Sequence, residues 1–502
     1  MIRIHTTPDT EPLNGDFSVW VNGMEVNPYS CRVSAAPLNT WDPRGMTRPL
    51  MYTEIASVVS LEADESVQFA VKSNGRLFSK AEVRPRSKSI VAQTDGDEIR
   101  FTLAGSGQYV LELDDCHRAL HIFINAADDF GVDPGAADVL YFPPGVHFPG
   151  IIEMYSGQTV YIDAGAVVYG AIRGVNVSDV RVVGYGILDG SWEARTQPGA
   201  DHLRCFYNPA GGTFPEDEAS LRGWFDSGVE LATCVRFYNS ERITVQGVTF
   251  RDSSFFVISP TRCDELVFDN VKLVGMWRTN TDGIDLLNCR QVTVRNSFLR
   301  NFDDCLCIKG TKGWDNRNCE NIHVENCVLW CDWGRALEFG AETCADAIRD
   351  IVFENCDIIH GADVMMDIQN GDRAEIYDVT FRDIRCEYTA SDYRPRCNRQ
   401  GWDVPEGFPE RGNSPQLFVI DTKHRTYAKD YAAGSVHGVT VENIRILADE
   451  GMEMPRSLIE AGDEAPIDHV VLRNIFFNGR RLQSMEEAGI TVLGPAGDVR
   501  FE

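Results

Sequence analysis

Residues 280–310 read NTDGIDLLNCRQVTVRNSFLRNFDDCLCIKG. At their centre is VTVRNSFL (292–299): apolar, any residue, apolar, a polar residue, then asparagine. The unit recurs as VRVVGYGIL (180–188), ITVQGVTF (243–250), LVFDNVKL (266–273), IHVENCVL (322–329), IVFENCDI (351–358), VTFRDIRC (379–386), VTVENIRI (439–446) and VVLRNIFF (470–477). From Ile243 the starts lie 23 to 31 residues apart, with one step of 60 that is a coil with a long insertion or two coils. The fifth position holds Gly247, Asn270, Asn296, Asn326, Asn355, Asp383, Asn443 and Asn474. These types tolerate a left-handed backbone, so the chain bends there on every turn. A second strand follows each unit, as in FFVISP, GIDLLNC, CLCIKG, ALEFG, VMMDIQNG, QLFVID and SLIEAG. Short strands, a fixed bend and a period in the twenties predict an all-β, right-handed parallel β-helix. A propeller is the runner-up, but its blades run about 40 residues and carry another signature.

Upstream, residues 1–126 show short alternating runs such as SVQFAV, EIRFTL and QYVLEL, broken by Gly and Asp-Gly turns. They predict an N-terminal β-sandwich that braces the main domain, lines one end of a cleft or covers the N-terminal end of the helix. The β-helix is placed at 132–485 and a C-terminal tail at 486–502. Excursions at 193–228, 388–413 and 423–434 are long enough to wall or close a cleft. They and their flanks hold Trp192, Trp224 and Trp402, with Arg394, Arg396 and Arg399.

The formal net charge of −28 argues against nucleic acid or anionic membrane as a partner. No apolar run approaches the roughly 20 residues of a spanning helix. The opening MIRIHTTPDTEPLNG lacks the apolar core of a secretory signal, so a cytoplasmic location is expected. The 15 cysteines fit reduced core thiols. Cys319, Cys327 and Cys331 show no paired CxxC pattern, and no metal or cofactor is assigned.

In a stacked solenoid, residues one coil apart become neighbours about 4.8 Å apart. Asp282 therefore shares a face with Asp303 and Asp304, 21 and 22 residues later. Neighbouring carboxylates repel when ionised, so one is held protonated and another ionised. Glycoside hydrolysis needs that division: an acid for the leaving oxygen and a base for water. The bland alternative is that these acids cap turns. Asn280-Thr281-Asp282, Asp303-Asp304-Cys305 and Lys309-Gly310 resemble glycoside hydrolase family 28, the polygalacturonases and their relatives. The runs TVYIDAGAVVYGAI and VVGYGILDGSW are similar to that family's opening coils. The two-domain layout is similar to the dextranase and isopullulanase family. The first resemblance implies Asp303 as general acid, Asp282 and Asp304 as the pair that holds and activates water, and inversion at the anomeric carbon.

The chain departs from the family where a uronate would be gripped. In place of Gly-His-Gly it reads CDWGRALEFGAET, and in place of Arg-x-Lys it reads IIHGADVMMDIQNGD. A neutral sugar becomes as reasonable as an acidic one. The candidate substrate-binding residues are Asn280, Lys309, Trp333, Arg335, Asp367 and Gln369. Asp372 shares the hydroxyl-binding or turn reading of Asp367. Glu338 joins the face unless alternation turns it away. One or two of Trp277, Trp314, Trp330 and Trp333 are expected to meet ligand, and His323 is read as structural. The leading reading is an inverting hydrolase of α-linked poly- or oligosaccharides, exo- or oligosaccharide-acting. The alternatives are a pectin-directed polygalacturonase or rhamnogalacturonan hydrolase, a dextranase-like α-glucanase, a calcium-dependent lyase and a non-catalytic carbohydrate-binding solenoid. Oligomeric state stays open.

Overall fold

The computed structural model describes residues 2–35, 53–191, 233–278, 280–311, 317–390, 414–424, 428, 430 and 432–502. Trp192, Trp224, Trp314, Trp402, Arg394, Arg396 and Arg399 lie outside these residues. From Val139 onward the strands form one 31-stranded array whose coil-to-coil pairings are parallel, a right-handed parallel β-helix. Three strands make a typical coil, as in Arg290–Arg295, Phe298–Asn301 and Leu306–Gly310.

Alternation within the repeat unit fills the lumen. Register places Ile243, Leu266, Val292, Ile322, Ile351, Val379, Val439 and Val470 in one column. All are buried in the main core. Each such side chain contributes roughly 1.5–3 kcal/mol of burial. Cys319, Cys327 and Cys331 are part of the same core. The fifth-position bend is left-handed throughout: Asn270, Asn296, Asn326, Asn355, Asp383, Asn443 and Asn474 have φ of 51–56°, and Gly247 has 83°. A second left-handed corner precedes each unit, at Arg242, Glu265, Gln291, Asn321, Asp350, Asp378 and His469. Its mixed residue types gave it no visible signature. The 60-residue step is one coil with an insertion, because Glu375–Arg382 pairs directly with Ser435–Ala448.

Residues before 126 form a six-stranded and a five-stranded sheet around a core that includes Val19, Phe69, Ile99, Leu61, Leu111 and Ile122. The outer face of the six-stranded sheet packs along the flank of the helix. Val58, Val110 and Phe123 meet Val167, Phe298, Val328, Trp330 and Ile359. The sandwich therefore braces several coils from the side, and the expectation that it covers the N-terminal end is corrected. The reason is the apolar outer row of those coils, which needs a partner sheet. Buried ions reinforce the seam: Arg84 bonds Glu112 at 2.6 Å and also pairs with Glu387 of the helix. The expected tail at 486–502 is likewise corrected. Its strands Ile490–Leu493 and Val499–Phe501 pair in parallel with Ser457–Glu460 and Ile467–Phe477, completing the last coil. Among the described residues no helix is long and apolar enough to cross a membrane.

Candidate active site

The acids gather where the chain leaves the sandwich-facing sheet and enters the next one. Asn280, left-handed at φ 57°, turns the chain into Thr281 and Asp282. Asn301, one coil on, donates to Thr281 O at 3.2 Å and braces that turn. Gly283 must be small there, since a side-chain carbon would sit 2.2 Å from Cys305 O. One coil later Asp303 and Asp304 open the strand Leu306–Gly310. Another coil on, Gly334 lies over them: a Cβ there would be 2.2 Å from Asp304 Oδ1 and 2.7 Å from Asp303 Oδ1, so these two oxygens lie within about 5 Å of each other.

Burial and charge separate the pair. Asp303 is pushed up to about 7 by desolvation and by Asp304 beside it. Asp304 is equally buried, yet it is held below the ordinary carboxylate value. A hydrogen bond from Glu338, the charge of Arg335 and the Arg335 backbone N–H at 2.7 Å outweigh its desolvation. Adjacent residues are thus pushed in opposite directions, Asp303 toward the protonated form and Asp304 toward the ionised one.

Lys309 lies 3.1 Å from Asp282 Oδ2 and 2.8 Å from Asp285 Oδ1. Burial still pushes both acids up, Asp285 to about 6. Lys309 is only 6% exposed, so it holds the acid cluster from beneath rather than presenting a free ammonium. Arg335 Nη2 meets Asp363 at 3.2 Å and Nε meets Asp367 at 3.4 Å, with Asp304 and Glu338 within 4.0 Å of the same guanidinium. Gln369 donates to Asp367 at 2.8 Å and to Glu338 at 3.2 Å.

The structure thus brings Asp282, Asp303, Asp304, Lys309, Arg335, Asp367 and Gln369 together, with Asn280 at the rim. Trp333 is half-buried and stacks on Phe302 at 5.7 Å. Trp330 belongs to the sandwich seam, stacked on His121 and under Arg300. Trp277 is tied to Asp252 at 2.8 Å. Asp372 accepts Thr343 N–H at 2.9 Å, a turn role. His323 pairs with Glu354 at 2.8 Å on the repeat sheet. Sequence reasoning missed Asp285 and Asp363 and undervalued Glu338. The signal was parity: Asp285, Cys307, Glu338 and Asp367 occupy one register column, alternating with lumen residues such as Ile284 and Leu286.

Every one of these carboxylates falls in a segment shared with known proteins. Residues 162–392 match the family model of Glycosyl hydrolases family 28. The resemblance read from the Asn-Thr-Asp and Asp-Asp motifs thus holds. A dextranase of Arthrobacter globiformis is 27% identical over 225 residues, 39% of this chain and 32% of the relative. A probable exopolygalacturonase B of Aspergillus fumigatus is 28% identical over 173 residues, 30% of this chain and 34% of the relative. The chain therefore spans about a third of the length of these curated relatives. The solved structure of Dex49A from Penicillium minioluteum shares the fold, with a TM-score of 0.62 at 15% identity over 96% of this chain and 92% of that one.

Proposed function

We propose that the chain is a glycoside hydrolase that cleaves α-glycosidic bonds of a poly- or oligosaccharide with inversion. The observation that carries the reading is the buried, adjacent Asp303–Asp304 pair beneath Gly334, in which burial pushes Asp303 up to about 7 while the Arg335 N–H at 2.7 Å helps to hold Asp304 low. Asp303 gives its proton to the glycosidic oxygen as the bond to the anomeric carbon breaks. Asp304 removes the proton of a water, which Asp282 one coil away helps to hold, as the water oxygen bonds to that carbon. Asp304 Oδ1 is engaged by the Arg335 N–H, which suits a base better than an attacking nucleophile. The reading includes exo or oligosaccharide action.

The substrate proposed is a neutral sugar. Arg335 is shared among Asp304, Glu338, Asp363 and Asp367, and Lys309 between Asp282 and Asp285. Among the described site residues no cation remains for a uronate, whereas hydroxyl donors would meet Asp367 and Gln369. The match to a dextranase supports this choice. The match to an exopolygalacturonase keeps galacturonate as the second reading.

Reducing-end release from α-linked gluco-oligosaccharides and from galacturonate oligomers tests the proposal, with and without chelator. The expected result is turnover of a neutral substrate that survives chelation and falls about 10²–10⁴-fold in Asp303→Asn. Faster turnover of galacturonate would overturn the substrate class. Unsaturated products lost on chelation would replace hydrolysis by a lyase reaction.

A further inference from the structure

Glu338 sits in the middle of the site floor and is 1% exposed. It stacks between Cys307 of the preceding coil and Asp367 of the next. One carboxylate oxygen each of Asp304 and Glu338 and the Cys307 sulfur lie within 4.8 Å of one another. The groups facing Glu338 are few. Gln369 Nε2 donates to Oε1 at 3.2 Å, the Cys307 thiol reaches Oε2 at 3.6 Å, and Arg335 Nε stands 4.0 Å from Oε1. Asp304 and Asp367 are its acidic neighbours, and Lys309 contributes from beyond Cys307.

Two carboxyl groups this close, shielded from water, do not both ionise. The competition between them is unequal. Asp304 holds a backbone N–H at 2.7 Å with the Arg335 guanidinium 3.9 Å away. Glu338 stands as near that guanidinium, at 4.0 Å, but its hydrogen-bond donors are only an amide and a weak thiol. Charge-assisted bonds from a backbone N–H are the stronger set, so the shared proton belongs on Glu338.

We propose that Glu338 is a positioning residue: as a neutral carboxylic acid it donates a hydrogen bond to Asp304, keeping that carboxylate ionised and aimed at the water. The inference rests on the hydrolase reading and adds to it a residue that needs no contact with sugar. Its Gln369 contact, itself fixed by Asp367 at 2.8 Å, holds Glu338 Oε1 as an acceptor and leaves Oε2 as the oxygen to carry the proton.

The test compares Glu338→Gln with Glu338→Ala. Glutamine is neutral and keeps a donor, so kcat should stay within about threefold of wild type. Alanine removes the donor, and kcat should fall about 10–100-fold, as expected for a hydrogen bond to a charged group. KM should change little, and the acid limb of the kcat–pH profile should move to higher pH, because Asp304 protonates more readily. A Glu338→Gln loss as large as that of alanine, or an unmoved acid limb in Glu338→Ala, would overturn the role. A readout independent of turnover is the ¹³C carboxyl shift of Asp304 in labelled protein at pH 5. It should be that of a carboxylate in wild type and Glu338→Gln and move toward the acid form in Glu338→Ala; equal shifts in all three would overturn the inference. Absence of turnover on every saccharide counts against the hydrolase reading alone.

Discussion

Gly334→Ala isolates the geometry of the acid pair from its chemistry. The added carbon would sit 2.2 Å from Asp304 Oδ1, 2.7 Å from Asp303 Oδ1 and 2.8 Å from Asp304 N, where real side-chain carbons keep at least 3.0 Å. Relief requires the carboxylates, or the turn that carries them, to move by roughly 1 Å, and displacement on that scale costs about 10²-fold in rate. The overpacking itself should cost about 1–3 kcal/mol, small beside the core of so many buried strands. The assay is kcat and KM on the turned-over oligosaccharide, alongside a thermal melt by circular dichroism. The expected outcome is a folded protein with kcat down about 100-fold and KM changed little. A variant with wild-type kcat would refute the placement of Gly334 over the two acids.

Three further outcomes follow from the same contacts. With Asp303 pushed up to about 7 and Asp304 held below the ordinary value, kcat should be flat from about pH 4 to 6 and fall above 7; a rate that climbs through pH 7 would contradict the assignment. Because the folded state raises Asp303 above its unfolded value, the stability tied to its proton is full below about pH 4 and lost as pH rises through 7. Asp303→Asn should therefore melt above wild type at pH 8, with the gap closing by pH 4; a gap independent of pH would show that Asp303 is not the titrating group. Arg84→Ala takes the shared guanidinium from Glu112 and Glu387, leaving the first to His360 and the second to Arg86 at 3.6 Å, and should destabilise by about 3–5 kcal/mol, read as a lower Tm and faster proteolysis of the sandwich; an unchanged Tm would mean the seam does not need Arg84.

The solenoid was legible because its physics repeats. The Asn column from Asn270 to Asn474 marks a left-handed corner, and the alternating aliphatics mark the lumen. The second corner was not legible, because Arg242, Glu265 and Gln291 adopt a left-handed backbone that their residue types do not advertise. The acid triad followed from spacing alone once a coil was taken as the repeat. Asp285 escaped notice and Glu338 was undervalued because each stands between apolar residues in its strand. There burial looks like core until register shows that the column faces the site. The role of Lys309 was hidden for a related reason: its position on the strand was visible, while its burial between Asp282 and Asp285 depends on how two coils stack. The flank-on docking of the sandwich depends on outward residues of the middle sheet, such as Phe298 and Val328. In the sequence these are indistinguishable from lumen residues.

The most direct test of the central claim is the anomeric configuration of the first product. Proton NMR during cleavage of an α-linked oligosaccharide should show the β-anomer of the new reducing end first, with the α-anomer rising only by mutarotation. Asp303 and Asp304 oxygens within about 5 Å of each other also suit a double displacement through a covalent intermediate, so the experiment discriminates sharply. Initial appearance of the α-anomer would contradict the account, replacing the water held by Asp304 and Asp282 with a carboxylate nucleophile.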